Sequence, residues 1–138
     1  MAPDPLVLRP IGTVSSPLIE RSDAPKQGFE GSPEAWLVLD PELRPAYADL
    51  AAGQPAIVLT WFDRAERDVL RVHPRDDVTA PERGVFSTRS PDRPNPIGLH
   101  RVEIVAVDGD RVRVRNLEAL DGTPVIDVKP VLDASADA

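Results

Sequence analysis

Proline sets the limits on what this chain can fold into. Sixteen of its 138 residues are proline, more than twice the usual share of about 5%. Each fixes φ at about −65° and removes a backbone N–H, so prolines scattered along the chain interrupt helical ladders and exclude long helices. Short strands separated by Pro and Gly turns remain. The length suits one domain, with a core large enough to fold without a metal or disulfide staple.

The available chemistry is equally bounded. The absence of cysteine excludes disulfide frameworks, thiolate nucleophiles, iron–sulfur clusters and cysteine-ligated zinc. His73 and His100 are the two histidines, so a three-histidine metal site is impossible and no metal is expected. No run approaches 18 apolar residues, and the opening MAPDPLVLRP is neither a basic leader nor a signal-type apolar stretch. A cytoplasmic protein without a membrane segment is expected. Sixteen Lys and Arg against 23 Asp and Glu give a formal net charge of -7, which argues against nonspecific nucleic-acid binding but leaves room for a local basic patch. Seven arginines lie between Asp63 and Arg93, matched by seven carboxylates; the same composition describes a salt-bridged, solvated surface.

Strand signals dominate. Leu6, Leu8, Ile11 and Val14 surround a first strand, and Ala35 to Leu39 forms a second. Asp40 offers an N-cap with Pro41 behind it, and Leu43, Ala46 and Leu50 recur at helical spacing until Gly53. Ala56 to Phe62 is an apolar run of strand length. Leu99 to Val107 and Arg111 to Arg115 form a hairpin, with Asp108-Gly109 as its turn pair. The second strand sets valines on one face and Arg111, Arg113 and Arg115 on the other, which either grips phosphates or keeps an exposed strand soluble. After Asp121-Gly122-Thr123-Pro124, the strand Val125 to Val131 places Val125, Asp127, Lys129 and Val131 on one side and Ile126 and Val128 on the other. Asp127 and Lys129 are either a surface pair or part of a site. The expectation is a mainly β domain over residues 1–133, a small barrel or closed sheet with one or two short helices, and a frayed tail at 134–138. Neither a Gly-x-Gly-x-x-Gly turn nor a Walker loop is present to support a nucleotide fold of those types.

The stretch Gly84 to Leu99 exceeds the needs of a turn. Pro91, Pro94 and Pro96 remove three donors in six residues, so the loop is stiff and its carbonyls must find partners outside ordinary ladders. Such a loop suits a preorganised ligand wall, with Arg89, Arg93 and Asn95 as fixed donors and Pro and Ile surfaces to cover a flat ring.

Two segments carry a resemblance. Ser87-Thr88-Arg89-Ser90-Pro91-x-Arg93-Pro94-Asn95-Pro96-Ile97-Gly98-Leu99 and Leu120-Asp121-Gly122-Thr123-Pro124-Val125-x-Asp127-x-Lys129-Pro130 are similar to the signature of the TsaA-like (TrmO-type) family. Pro10-Ile11-Gly12-x-Val14-x-Ser16-Pro17 and Pro25-Lys26-Gln27-Gly28 resemble that family's start. The resemblance implies a TsaA-like β-barrel, dimeric, that uses S-adenosyl-L-methionine to methylate N6 of threonylcarbamoyladenosine at position 37 of tRNA. It implies cofactor contacts from Pro25, Lys26, Gln27, Arg89, Leu99, Ala119, Leu120, Asp121 and Gly122. Arg89 would pair with a carboxylate, Gln27 and Asp121 would bond polar groups, and Leu99 would pack on adenine. Methyl displacement needs alignment and no covalent residue. Asp127, supported by Lys129, is the candidate proton acceptor or orienting group.

The chain departs from the family pattern at Gln54-Pro55, where a Ser-His pair is usual, and at Asp63, His100 and Val131. These departures and the acidic charge keep two alternatives open: methylation of a small metabolite, or a barrel that binds a nucleotide-like ligand without catalysis.

Overall fold

A computed structural model describes residues 5–18 and 34–132. The strands are β1 (Gly12–Ser15), β2 (Ala35–Leu39), β3 (Pro55–Trp61), β4 (Arg71–Val72), β5 (Arg83–Gly84), β6 (Ile97–Asp108), β7 (Arg111–Arg115) and β8 (Pro124–Pro130), with one helical turn, α1 (Arg44–Tyr47). Six strands form an antiparallel sheet in the order β1-β2-β7-β6-β3-β8, and β8 pairs back onto β1 through Gly12 with Val125 and Thr13 with Pro124. The ladder therefore closes, which removes the exposed edges of an open sheet. β4 and β5 make a separate two-stranded ribbon. The mainly β expectation holds.

Period-2 alternation decides which face turns inward. Ala35, Leu37 and Leu39 of β2, Val102 and Ile104 of β6, and Val112 and Val114 of β7 join Val14, Ala56, Val58 and Val125 in one buried core. Burying each such Val, Leu or Ile is worth about 1.5–3 kcal/mol. A one-residue slip of β7 would instead bury Arg111, Arg113 and Arg115.

Four local expectations are corrected. Leu6, Val7 and Leu8 are exposed rather than part of the first strand; Pro10 has no N–H to carry the ladder further, and β1 starts at Gly12. Asp40 does cap its segment, its carboxylate accepting from the Glu42 N–H at 2.9 Å. The helix is nevertheless cut to a 3₁₀ turn at Pro41–Leu43 and four α residues, because Pro45 cannot donate and the Arg44 N–H closes on the Pro41 carbonyl instead. The hairpin turn is Gly109-Asp110, flanked by the Asp108/Arg111 pair. Gly109 takes φ 63°, the Gly-first arrangement of a type II′ turn. In β8, Leu59 pairs with Asp127 but Thr60 with Val125, so Ile126 is bulged out and the alternation resets. Val125 and Val128 both pack on the core, and Asp127 no longer shares a face with Val125.

The registers also sort the strand ends. The β6–β7 turn and Leu39, the last residue of β2, lie at one end; Ser15, Trp61, Ile97, Arg115 and Pro124 lie at the other. The long proline-rich loop joins the sheet at that second end.

Candidate functional site: a groove walled by the proline-rich loop

The loop from Val85 to Pro96 is held by side chains because its prolines have removed backbone donors. Arg93 donates from Nη1 to the carbonyls of Thr88 and Ser90 at 3.0 and 3.1 Å, and from Nη2 to that of Val85 at 3.0 Å. Arg67 donates from Nε to the Pro94 carbonyl at 2.7 Å and from Nη2 to Asn95 Oδ1 at 3.0 Å, with its guanidinium 5.2 Å from the Trp61 ring. The Phe62 N–H reaches the Pro96 carbonyl at 2.8 Å, and the Asp92 carboxylate accepts from the Glu66 N–H at 3.0 Å. Arg93 and Asn95, expected as ligand donors, are thus engaged in clamping the loop itself. Carbonyls left without N–H partners claim the nearest strong donors.

Between this wall, the outer face of β3 and β6 and the segment 116–123 runs an open groove of about 1930 Å³. Drug-sized ligands occupy roughly 300–1,000 Å³, so it has room for a cofactor and an acceptor side by side. Arg89, Leu99, Ala119 and Leu120 line it. Leu99 is 36% exposed and Ile97 45%, presenting apolar surface beside the exposed Phe86 ring. Its charge is balanced: Arg64, Arg75, Arg89, Arg93 and Arg101 face Asp63, Asp76, Asp92, Glu103 and Glu118.

Other candidates stand elsewhere. Asp121 and Gly122 do not line the groove; they form the turn behind it. The Asp121 carboxylate accepts from the Ser16 N–H at 3.0 Å, its N–H donates to the Leu18 carbonyl at 2.7 Å, and Gly122, at φ 85°, donates to the Val14 carbonyl at 2.7 Å. This ties 120–123 to the end of β1 and positions Ala119 and Leu120. Asp127 borders a separate cavity of about 190 Å³ with Ile11, Leu39, Tyr47 and Val128, and pairs with Lys129 at 2.8 Å. Pro25, Lys26 and Gln27 lie outside the described residues. The arginine face of β7 is largely neutralised: Glu34 pairs with Arg113 and Arg115, Glu103 with Arg115, and Arg111 stacks 4.8 Å from Trp36. At the altered family positions, Gln54 closes its own turn through the Ala51 N–H, while Pro55 and Asp63 line the groove.

Sequence reasoning missed the groove's polar end. Thr60, His100 and Thr123 are the buried polar residues of the described chain. His100 and Thr123 line the groove, and Thr60 Oγ1 lies 2.8 Å from His100 Nε2. The Phe62 ring meets the imidazole edge-on at 5.7 Å. Burial pushes the His100 pKa down to about 4, so its ring is neutral at pH 7. The one available signal was Thr60, a polar side chain at an inward position of an apolar strand. Among the described residues no cluster of His, Cys, Asp and Glu could hold a metal. None of their helices is long and apolar enough to cross a membrane.

The family model described as tRNA-methyltransferase O N-terminal domain matches residues 13–138. The chain belongs to that family. It is 50% identical over 123 residues to a probable S-adenosyl-L-methionine-binding protein of Methanothermobacter thermautotrophicus, covering 89% of this chain and 88% of the relative. It is 47% identical over 124 residues to an S-adenosyl-L-methionine-binding protein of Archaeoglobus fulgidus, covering 90% and 88%. The crystal structure of TrmO from Pseudomonas aeruginosa superposes with a TM-score of 0.75 at 29% identity, over 98% of this chain and 61% of that one. This member of the family therefore spans about three fifths of the length of that solved chain. Its groove-lining Arg89, Leu99, Ala119 and Leu120 fall within the matched region.

Proposed function

We propose that this chain methylates N6 of threonylcarbamoyladenosine at position 37 of tRNA, using S-adenosyl-L-methionine. Membership of the family and the S-adenosyl-L-methionine-binding relatives support an S-adenosyl-L-methionine-dependent methyltransferase. The observation that carries the site is the groove itself: a proline-stiffened wall facing Leu99, Ala119 and Leu120, with the exposed Arg89 at its side. The donor set fits the cofactor. Leu99 and Ile97 offer a surface for a flat ring, Arg89 can take a carboxylate in a two-pronged contact, and the groove's carboxylates suit a cation.

When bound, the cofactor supplies an electrophilic methyl group on a sulfonium. The protein's part is alignment: the clamped loop holds its wall in place before ligands arrive, and the volume lets both partners lie in line. Pro25, Lys26, Gln27, Asp121 and Gly122 complete the cofactor contacts in this reading, with Asp121 and Gly122 acting by fixing the 119–122 segment. Asp127 enters as a proton acceptor only if a second copy or a ligand brings the acceptor to it. We also read the domain, residues 1–133, as a cytoplasmic homodimer, on the family resemblance alone.

Calorimetry with S-adenosyl-L-methionine tests the first step, and methylation of threonylcarbamoyl-modified tRNA the second. Arg89→Ala should weaken cofactor binding about tenfold or more, the loss of a charge-assisted hydrogen bond; unchanged affinity would remove Arg89 from the site. The balanced groove charge and the neutralised β7 face favour a second reading, a small-metabolite acceptor. Methylated tRNA nucleosides that vanish from cells lacking the protein would dismiss it.

A further inference from the structure

The buried pair at the polar end of the groove fixes its own hydrogen placement. Thr60 is fully buried, and among the described residues its hydroxyl has one hydrogen-bond partner, His100 Nε2 at 2.8 Å. A hydroxyl can donate once and accept twice, while each nitrogen of a neutral imidazole does one or the other. If Nε2 carried the proton, the Thr60 O–H would be a buried donor with nowhere to go, at a cost of about 1–3 kcal/mol. If Thr60 donates to Nε2, every group is satisfied and the ring proton sits on Nδ1. No buried side-chain nitrogen or oxygen among the described residues lacks a partner, and Nδ1 makes no hydrogen bond to them, so Nδ1 reaches accessible space. His100 is among the residues that line the groove.

We infer that His100, as the Nδ1–H tautomer pinned by Thr60, is a specificity-determining hydrogen-bond donor at the deep end of the groove, reading an acceptor atom on a neutral flat ligand. The ligand atom is a ring nitrogen or a carbonyl oxygen. The Phe62 ring meets the imidazole edge-on, and Phe62, His100, Ala119 and Thr123 all line the groove, with His100 and Thr123 its buried polar residues. A protonated Nδ1 cannot accept a proton, so His100 serves recognition and not base catalysis. The assignment of the ligand rests on the methyltransferase reading; the tautomer does not. The acceptor atom belongs either to the cofactor's base or to the methyl acceptor.

Nitrogen-15 NMR of the labelled full chain reads the tautomer directly. The expected spectrum shows His100 Nδ1 protonated and Nε2 bare at pH 7; the reverse overturns the proposal. Calorimetry with S-adenosyl-L-methionine and steady-state methylation of threonylcarbamoyl-modified tRNA then compare wild type, His100→Leu and the milder Thr60→Val. A three- to tenfold loss, the scale of one hydrogen bond, should appear in cofactor affinity if the ligand atom is on the cofactor, or in KM for tRNA with cofactor affinity kept. Variants unchanged in both measurements refute the role of His100. A wild type that binds cofactor but methylates no tRNA refutes the tRNA reading alone; a weaker cofactor affinity in His100→Leu then upholds His100 as a reader of the cofactor, and an unchanged one overturns it.

Discussion

Gly98 is the position where one added methyl group should do most damage. It lies on β6 opposite Thr60, and a Cβ built there would sit 2.5 Å from Thr60 Oγ1, 2.5 Å from Phe62 Cζ and 2.7 Å from His100 Nε2. Carbon atoms rest comfortably at about 3.5–4.0 Å from such neighbours. Phe62 is partly exposed and can swing away. Thr60 and His100 cannot: they are 0% and 9% exposed, and a β-branched Thr is stiff at χ1. Gly98→Ala must therefore pull Thr60 and His100 apart. Overpacking costs about 1–3 kcal/mol, and a buried hydroxyl stripped of its partner about 1–3 kcal/mol. Both arise from one displacement, so they overlap, and a loss of about 2–4 kcal/mol is expected. Urea unfolding followed by tryptophan fluorescence should show a lowered midpoint at unchanged slope. Combined with Thr60→Ala, which removes the hydroxyl from the collision, the two losses should fall short of additivity by at least about 1 kcal/mol. A Gly98→Ala protein within about 0.5 kcal/mol of wild type, the usual range for a harmless surface change, would refute the view that this end is packed against bare backbone.

Arg93→Ala removes the Arg93 donors from the carbonyls of Thr88 and Ser90, while that of Val85 keeps the Thr88 N–H and hydroxyl; it should cost roughly 2 kcal/mol and open the loop to limited proteolysis, and a protease-resistant variant would count against the clamp. The His100 pKa is lowered by burial from 6.5 to about 4, so between those values the unfolded chain binds a proton that the folded one refuses. This contribution to stability is complete above pH 6.5 and shrinks as pH falls toward 4, by up to roughly 3 kcal/mol. The slope should be flatter in His100→Leu, and parallel stability curves for the two proteins would contradict the assignment. Asp127→Asn breaks a half-exposed pair with Lys129, so stability should change by less than about 1 kcal/mol. If Asp127 accepts the proton, methyl transfer should drop about 100-fold; an unchanged kcat would retire it.

What the sequence makes legible follows the range of the physics involved. β2 and β7 are readable because alternation is local, Leu37 and Val112 revealing their side within a few residues, and β3 because its apolar run is of strand length. The role of Arg93 is played out within eight residues of chain but leaves no periodic pattern. Its donors go to carbonyls that become available only once Pro91, Pro94 and Pro96 have shaped the loop, so the residue reads as a ligand contact until the fold is seen. The same holds for Asp127, whose face depends on the bulge at Ile126, set by pairing with β3 across about 65 residues of chain. Thr60 and His100 are 40 residues apart, and nothing within either segment announces the other. The proline excess connects these cases. Prolines strip donors from the groove wall, arginines supply them, and the arginine count between Asp63 and Arg93 then overstates what is free to meet a phosphate. Arg67 and Arg93 keep their charge, which acts over roughly a Debye length of about 8–10 Å, but their short-range hydrogen bonds point into the protein. If the acceptor is tRNA, its affinity should therefore fall with salt less steeply than seven arginines would imply, because each phosphate contact contributes a fixed increment to that slope.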